Sequence, residues 1–166
     1  MAIRDRLPAL AGRSALVALF LSLQAPAAVV AQEVFGEEPL TMVTADGKRQ
    51  GFTVELALTP GQRAQGLMNR RTMAPDRGML FSFGQTRQVL MWMKNTYLPL
   101  DMLFVDRSGT IRSIRENAEP LSEAIIDSQV PVAFVVELNS GTVRTRGISI
   151  GDTVESETIR NAGAGP

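Results

Sequence analysis

The stretch Val132-Ala-Phe-Val-Val-Glu-Leu138 is the most continuous apolar run in the chain after residue 31. It is rich in valine, and Glu137 is its only charged residue. A short apolar run of this length between polar segments favours a strand that is buried in the middle of a sheet. We therefore take residues 132–138 as the predicted central strand, around which the rest of the fold is arranged.

The segments on either side supply further strands and few helices. Residues 52–58 place an apolar side chain at every second position, and the Asp46-Gly47 turn joins them to a β-rich segment at 40–45. Thr59-Pro60 is a typical start for a short helix. Further short apolar segments lie at 78–83, 89–93, 100–105, 110–114 and 147–156. The pattern predicts an α+β, mainly β domain: a curled antiparallel sheet or small barrel of about eight short strands with one or two short helices.

Residues 1–31 have the pattern of a cleavable signal peptide. Arg4, Arg6 and Arg13 precede an apolar stretch at 14–23, and the small residues of Val29-Val30-Ala31 suit a cut before Gln32. The apolar core of about ten residues is too short for a membrane-spanning helix, which needs about 20. An uncleaved N-terminal anchor is the alternative. We expect an exported protein, periplasmic or extracellular, with no stable membrane span after processing.

The remaining chain is predicted to form one domain. Residues 32–39 read as a lead-in, residues 40–158 as a single β-rich domain, and residues 159–166 as a disordered tail. We find no internal repeat and no linker. Without residues 1–31 the chain has 14 basic and 16 acidic side chains, a net charge of −2. This balance gives no basic surface for nucleic acid, so we expect no nucleic-acid partner.

The composition also excludes several kinds of site. The chain has neither cysteine nor histidine. It therefore lacks the residues for a usual zinc site, a cysteine nucleophile or a Ser-His-Asp triad. Any general acid or base must be Asp, Glu, Lys or Tyr97, the single tyrosine. We predict no bound metal and no cofactor.

Six ordered blocks carry a family resemblance that covers about residues 40–156. They are Gly66-Leu-Met-Asn-Arg70, Gly78-Met-Leu-Phe81, Trp92-Met-Lys-Asn-Thr96, Pro99-Leu-Asp-Met102, Val136-Glu-Leu138 and Gly147-Ile-Ser-Ile-Gly-Asp152. In these blocks the chain resembles domain-of-unknown-function family 192 of bacteria and archaea. The resemblance implies a small β-rich α+β domain that is often exported. It implies no activity, cofactor or substrate.

Two carboxyl groups are the main candidates for chemistry. Asp101 and Glu137 both lie in apolar strands, where an ionised carboxylate needs a cation or several hydrogen-bond donors. We predict that the strands and loops gather a cleft for a small polar ligand or an envelope component. Its residues are Arg70, Arg71, Trp92, Lys94, Asn95, Asp101 and Glu137. The alternative is an ion-pair network with a purely structural role.

Three functional hypotheses remain open at this point. The leading one is a non-enzymatic binding or accessory module, in which Trp92 is either a platform for the ligand or a core anchor. The second is a hydrolase of envelope polysaccharide that uses Asp101 and Glu137 as its two carboxyl groups. The third is Cu(I) handling through Met91 and Met93, because thioethers are soft ligands. Strand alternation would point Trp92 away from both methionines, and methionine is often only core filling.

Overall fold

The structure of the protein is a computed structural model that describes residues 33–164. The predicted signal peptide and its cleavage site lie outside the described residues. Nine strands and three short helices follow one another between residues 33 and 164. The strands are β1 Gly36–Val43, β2 Arg49–Ala57, β3 Arg77–Arg87, β4 Leu90–Met91, β5 Leu100–Val105, β6 Ile111–Ala118, β7 Ile126–Asp127, β8 Val132–Asn139 and β9 Thr153–Ser156. The helices are α1 Pro60–Gln65, α2 Thr142–Arg146 and α3 Glu157–Gly163.

Seven strands form one sheet in the order β6-β5-β8-β3-β2-β1-β9, and β4 pairs with β7 in a separate ribbon. The predicted central strand is confirmed as β8, which lies between β3 and β5. All pairings in the large sheet are antiparallel except that of β2 with β3. A parallel pair needs a crossover connection, and α1 with the loop after it provides one.

The α+β, mainly β class is confirmed, with one correction. The sheet is mixed, whereas the sequence predicted an antiparallel one. It curls into a half-barrel, and its two edge strands meet at one corner. There the Val154 N–H donates to the Gly109 carbonyl at 2.7 Å, and Thr110 bridges to Thr153.

Both faces of the sheet are apolar, which explains why residues 132–138 of β8 are apolar at every position except Glu137. One face packs Phe52, Val136 and Leu138 together with Val143 of α2 and Ile159 of α3. We call the cluster on the other face the second core. It is formed by Ala57, Leu67, Met79, Phe81, Val89, Met93, Leu98, Leu100, Met102, Phe104, Ala118, Val132 and Val135.

The ordered domain extends beyond the predicted bounds at both ends. Strand β1 begins at Gly36, inside the predicted lead-in. Helix α3 occupies the start of the tail that was predicted to be disordered. Ser156 caps this helix by accepting the Ile159 N–H at 3.2 Å, and the buried Ile159 side chain holds it to the core. Within residues 33–164 no helix has the length and apolar character needed to cross a membrane.

Candidate functional site

A row of four side chains crosses the sheet on the face of the second core. The register pairs Glu55 of β2 with Met79 of β3, Met79 with Glu137 of β8, and Glu137 with Met102 of β5. Residues paired across neighbouring strands point to the same face of a sheet. Glu137 therefore lies between two methionines, and a second carboxylate stands at the end of the row.

Glu137 is buried without a partner. Its residue is 4% exposed, and within residues 33–164 its carboxyl group has no hydrogen bond or ion pair. Burial disfavours the charged form and raises the pKa of Glu137 to about 8. In the described part of the chain, no side-chain oxygen that is sealed from solvent lacks a partner. Both Glu137 oxygens therefore keep a narrow contact with solvent.

The Glu137 side chain lines a small pocket of about 120 Å³, through which its oxygens reach solvent. We call it the Glu137 pocket. Most of its lining is apolar or aromatic, and Glu137 is its one acidic group. It is lined by Arg63, Ala64, Gly66, Leu67, Met68, Phe81, Phe83, Leu90, Met91, Trp92, Thr96 and Glu137.

The wall formed by α1 depends on local sequence. Thr59 caps the helix by accepting the Gln62 N–H at 3.1 Å, and the Gln62 side chain accepts the Thr59 N–H at 3.0 Å. The chain then turns at Gly66, whose φ is 48° and where a Cβ atom would lie 3.2 Å from the Phe81 ring. Glycine is needed here both for the left-handed backbone and for the close approach. This turn brings Leu67 and Met68 over the pocket.

Basic side chains already cover aromatic faces near the pocket. Arg63 and Arg87 lie over the Phe83 ring at 5.7 Å and 4.8 Å from its centroid. Lys94 lies 5.1 Å from the centroid of Trp92, which is 45% exposed at the rim. These cation–π contacts hold the rim in place.

Asp101 lies on the opposite face of the sheet from Glu137. It pairs with Leu138 and is fully buried, and its carboxylate accepts the Asn117 and Val143 N–H groups, both at 2.9 Å. The Val143 N–H is in the first turn of α2, where the N-cap Gly141 has no side chain. Asp101, which lies in β5, therefore caps the N-terminus of the helix α2. The hydrolase hypothesis is wrong in its pairing, because Asp101 and Glu137 share no groove.

Arg70 and Arg71, two basic residues of the predicted cleft, contact neither carboxylate. Arg70 forms a bidentate ion pair with Glu55, at 2.6 Å between Nη2 and Oε2, and this bond raises the pKa of Arg70. Arg71 stacks on Tyr97, at 4.3 Å from the ring centroid. Asp101 thus has backbone donors instead of a cation, and within residues 33–164 none of these basic residues pairs with Glu137.

The two remaining predicted cleft residues lie in the loop that carries Trp92. Lys94 is 3.9 Å from Glu123. Asn95 is exposed in a turn with φ of 54°, and its carbonyl accepts the Asn69 N–H at 2.8 Å. Of the seven predicted cleft residues, the pocket lining contains Trp92 and Glu137.

The methionine pair of the third hypothesis is divided. Met91 lines the Glu137 pocket, whereas Met93 is buried and lines a separate cavity. Trp92 does share the Glu137 pocket with Met91, contrary to the expectation from alternation. The reason is that β4 ends at Met91, so strand geometry does not continue to Trp92.

The separate cavity was not foreseen from the sequence. It has a volume of about 360 Å³ and lies between β6 and the segment 119–129. Ser113, Arg115 and Asp127 are among its polar lining residues. Within residues 33–164 no three acidic, histidine or cysteine side chains are grouped to hold a metal ion.

The comparisons with known proteins establish the family. The model of DUF192, described as an uncharacterized ACR, matches residues 41–156. The chain belongs to DUF192. This confirms the resemblance carried by the six sequence blocks. No curated protein matches the chain.

Two crystal structures are similar to this chain. One is a Sinorhizobium meliloti 1021 protein, provisionally named a transcription regulator. It is 60% identical over 76% of this chain and 98% of its own, with a TM-score of 0.74. The other is a protein of unknown function from Novosphingobium aromaticivorans DSM 12444. It is 36% identical over 70% of this chain and 83% of its own, with a TM-score of 0.68.

Proposed function

We propose that this DUF192 domain is a ligand-binding module and that the Glu137 pocket is its binding site. The observation that supports this most is the buried Glu137 carboxyl group, which has no partner in the described chain and opens into a pocket. Burying a polar group without a partner costs free energy. A ligand that bonds to Glu137 would offset this cost, which the narrow contact of its two oxygens with solvent offsets only in part.

The form of the pocket limits the ligand. A volume of about 120 Å³ admits a few non-hydrogen atoms, so the pocket takes a small ligand or one end of a larger one. Its walls of Leu67, Phe81 and Met91 favour an apolar or soft group, and Glu137 is the polar contact that orients it. Trp92 lies at the rim, where its exposed part would contact a ligand that extends out of the pocket. Most of the pocket's lining residues are apolar by type, whereas the sequence predicted a cleft of mainly polar and charged residues.

Binding is favoured over catalysis by the surroundings of Glu137. The other candidate acid, Asp101, is fully engaged by two backbone N–H groups on the opposite face. Arg63 lines the pocket, but its Nη1 already donates to the carbonyls of Leu58 and Ser82. A single acidic group beside apolar walls can hold a ligand, whereas general acid–base catalysis commonly needs a second positioned group.

We also propose that the protein is exported and does not act on nucleic acid. The pattern of residues 1–31 supports export, and the net charge of −2 after them supports a partner other than DNA or RNA. The provisional name of the Sinorhizobium relative points to transcription. Gel-shift assays with random duplex DNA at low salt test this point, and binding there would contradict our proposal.

Export is tested by expressing the full chain in a bacterial host and measuring the molecular mass of the exported protein. We expect an N-terminus at Gln32, and retention of residues 1–31 would contradict it.

The ligand site is tested by thermal shift. Purified protein is screened against small polar metabolites, envelope fragments and metal ions, since a ligand of the folded state raises the melting temperature. The variants are Glu137→Gln and, as a matched control, Glu119→Gln in the separate cavity. We expect a ligand whose shift persists in E119Q and is lost in E137Q. A ligand that shifts E137Q as much as the unmodified protein would place the site elsewhere.

A further inference from the structure

We propose that the ligand of the Glu137 pocket is a soft monovalent metal ion, Cu(I) or Ag(I), bound by the thioethers of Met68 and Met91 and the carboxylate of Glu137. This inference rests on the proposed function, because it names the ligand of that same pocket. All three side chains line the pocket. Met68 lies in the segment after α1, Met91 in β4 and Glu137 in β8.

The methionines of the domain are distributed unevenly. Of the seven between residues 33 and 164, only Met42 belongs to the core on the opposite face. The other six lie in, against or beside the second core: Met68, Met73, Met79, Met91, Met93 and Met102. Met79 and Met102 flank Glu137 in the sheet. Thioether sulfur is a soft donor that selects Cu(I) among the common biological metals.

The charge of the site favours a monovalent over a divalent ion. Glu137 is the one acidic and Arg63 the one basic side chain in the lining, so a monovalent ion beside the ionised carboxylate leaves a single net positive charge. A divalent ion would leave two. It would also lack the imidazole, thiolate or multiple oxygen ligands that zinc, calcium and magnesium require. The pocket therefore favours a soft monovalent ion over these metals.

An organic ammonium ion is the principal competing ligand. It would bind through Glu137 and through the faces of aromatic rings. Arg63 and Arg87 already lie over Phe83, however, and Lys94 lies over Trp92. Phe81, the third aromatic ring of the lining, is only 2% exposed. The metal-ligating groups that remain are the two thioethers, the Glu137 carboxylate and the Thr96 hydroxyl, which already bonds to the Lys94 carbonyl. This difference favours the metal ion.

The test is titration with Ag(I), which is not redox-active under these conditions, in chloride-free buffer. Equilibrium dialysis gives the stoichiometry, and fluorescence of Trp92, the single tryptophan, reports binding at the rim. We expect one ion per chain. Met68→Leu with Met91→Leu, and separately Glu137→Gln, should each weaken binding at least about tenfold. Circular dichroism confirms that the variants fold, and Met42→Leu in the opposite core is the matched control.

The outcomes separate the two proposals. Equal loss in M42L would show scattered thioether binding and overturn the metal site. No Ag(I) binding by the unmodified protein, together with an organic ligand that depends on Glu137 in the thermal-shift screen, would overturn the metal inference and leave the binding module in place. Absence of both would overturn both. Zn(II) binding at the same residues would contradict the choice of a soft monovalent ion.

Discussion

Within residues 33–164, Glu55 and Glu137 point to the same face of the sheet with Met79 between them, and of these two carboxylates only Glu55 pairs with a cation. Arg70 pairs with Glu55 through two hydrogen bonds. The same row thus contains one acid with an ion-pair partner and one that has no partner in the described residues. This contrast distinguishes a structural ion pair from a candidate binding group.

Stability should depend on pH through Glu137. Burial raises its pKa in the folded protein to about 8 from an ordinary value of 4.5. Between these values the folded state holds a proton that the unfolded state releases, so the free energy of unfolding falls as pH rises from about 4.5 to about 8. Urea unfolding of metal-free protein across this range measures the slope. Glu137→Gln should flatten it, and an unchanged slope in E137Q would contradict the assignment.

Replacing the unpartnered acid should stabilise the domain. Glu137→Met extends the row formed by Met79 and Met102 and removes a buried carboxyl group. We expect the free energy of unfolding to rise by about 1–3 kcal/mol at neutral pH in the absence of ligand. Calorimetry or urea unfolding gives this value. Loss of stability in E137M would mean that the carboxyl has a structural partner, and a gain would indicate that Glu137 is retained at the expense of stability.

Removing Arg70, the partner of Glu55, should lower the free energy of unfolding. Arg70→Met leaves the half-buried Glu55 without its bidentate partner, and we expect destabilisation of about 1–3 kcal/mol. The double variant with Glu55→Gln should recover part of this loss, which a double-mutant cycle measures. As a control, breaking the fully exposed Lys48–Asp46 pair should have no measurable effect. Equal effects at the two pairs would contradict the distinction.

Asp101→Asn should destabilise the fold without affecting the Glu137 pocket. The carboxylate accepts two backbone N–H groups, and an amide can accept with only one of its two terminal atoms. One buried N–H is then left facing another donor, which costs about 1–3 kcal/mol. Ligand or Ag(I) affinity, measured below the melting temperature, should be unchanged. Weaker binding in folded D101N would restore Asp101 to the candidate site.

Gly78→Ala should disturb the strand that supports Glu137. A Cβ atom at this position would lie 2.5 Å from the Glu137 carbonyl oxygen and 2.7 Å from the Leu138 side chain. Strand β3 would have to move away from β8, and we expect destabilisation of about 1–3 kcal/mol. Gly51→Ala is the control, since no atom lies within 4 Å of its Cβ position. Similar losses at both glycines would indicate backbone entropy rather than crowding.

Local pattern was a reliable guide to the strands and a poor one to their partners. The run at 132–138 and the alternation at 52–58 match β8 and β2 closely, because strand formation follows the burial pattern of a few adjacent residues. The parallel pairing of β2 with β3 was missed, since pairing joins segments that are distant in the chain. The two-residue strand β7 was missed because it is too short to show periodicity.

The candidate site was predicted only in part for the same reason. Glu137 is conspicuous as the one charge in an apolar run, and Trp92 is the single tryptophan. Met68 and Phe81, by contrast, look like ordinary core residues until α1 folds over β3. Asp101 looks as unusual as Glu137, but a one-residue difference in register turns it to the opposite face, where backbone donors satisfy it.

By itself, the sequence determined the class of fold, the position of the central strand, the family, and the absence of histidine and cysteine chemistry. These follow from composition and from periodicity within single segments. Only the tertiary structure decided which buried carboxyl group has partners and which side chains surround the one that does not. Hydrogen bonds and ion pairs depend on distances between segments that are far apart in the chain, and those distances are set by strand order and register.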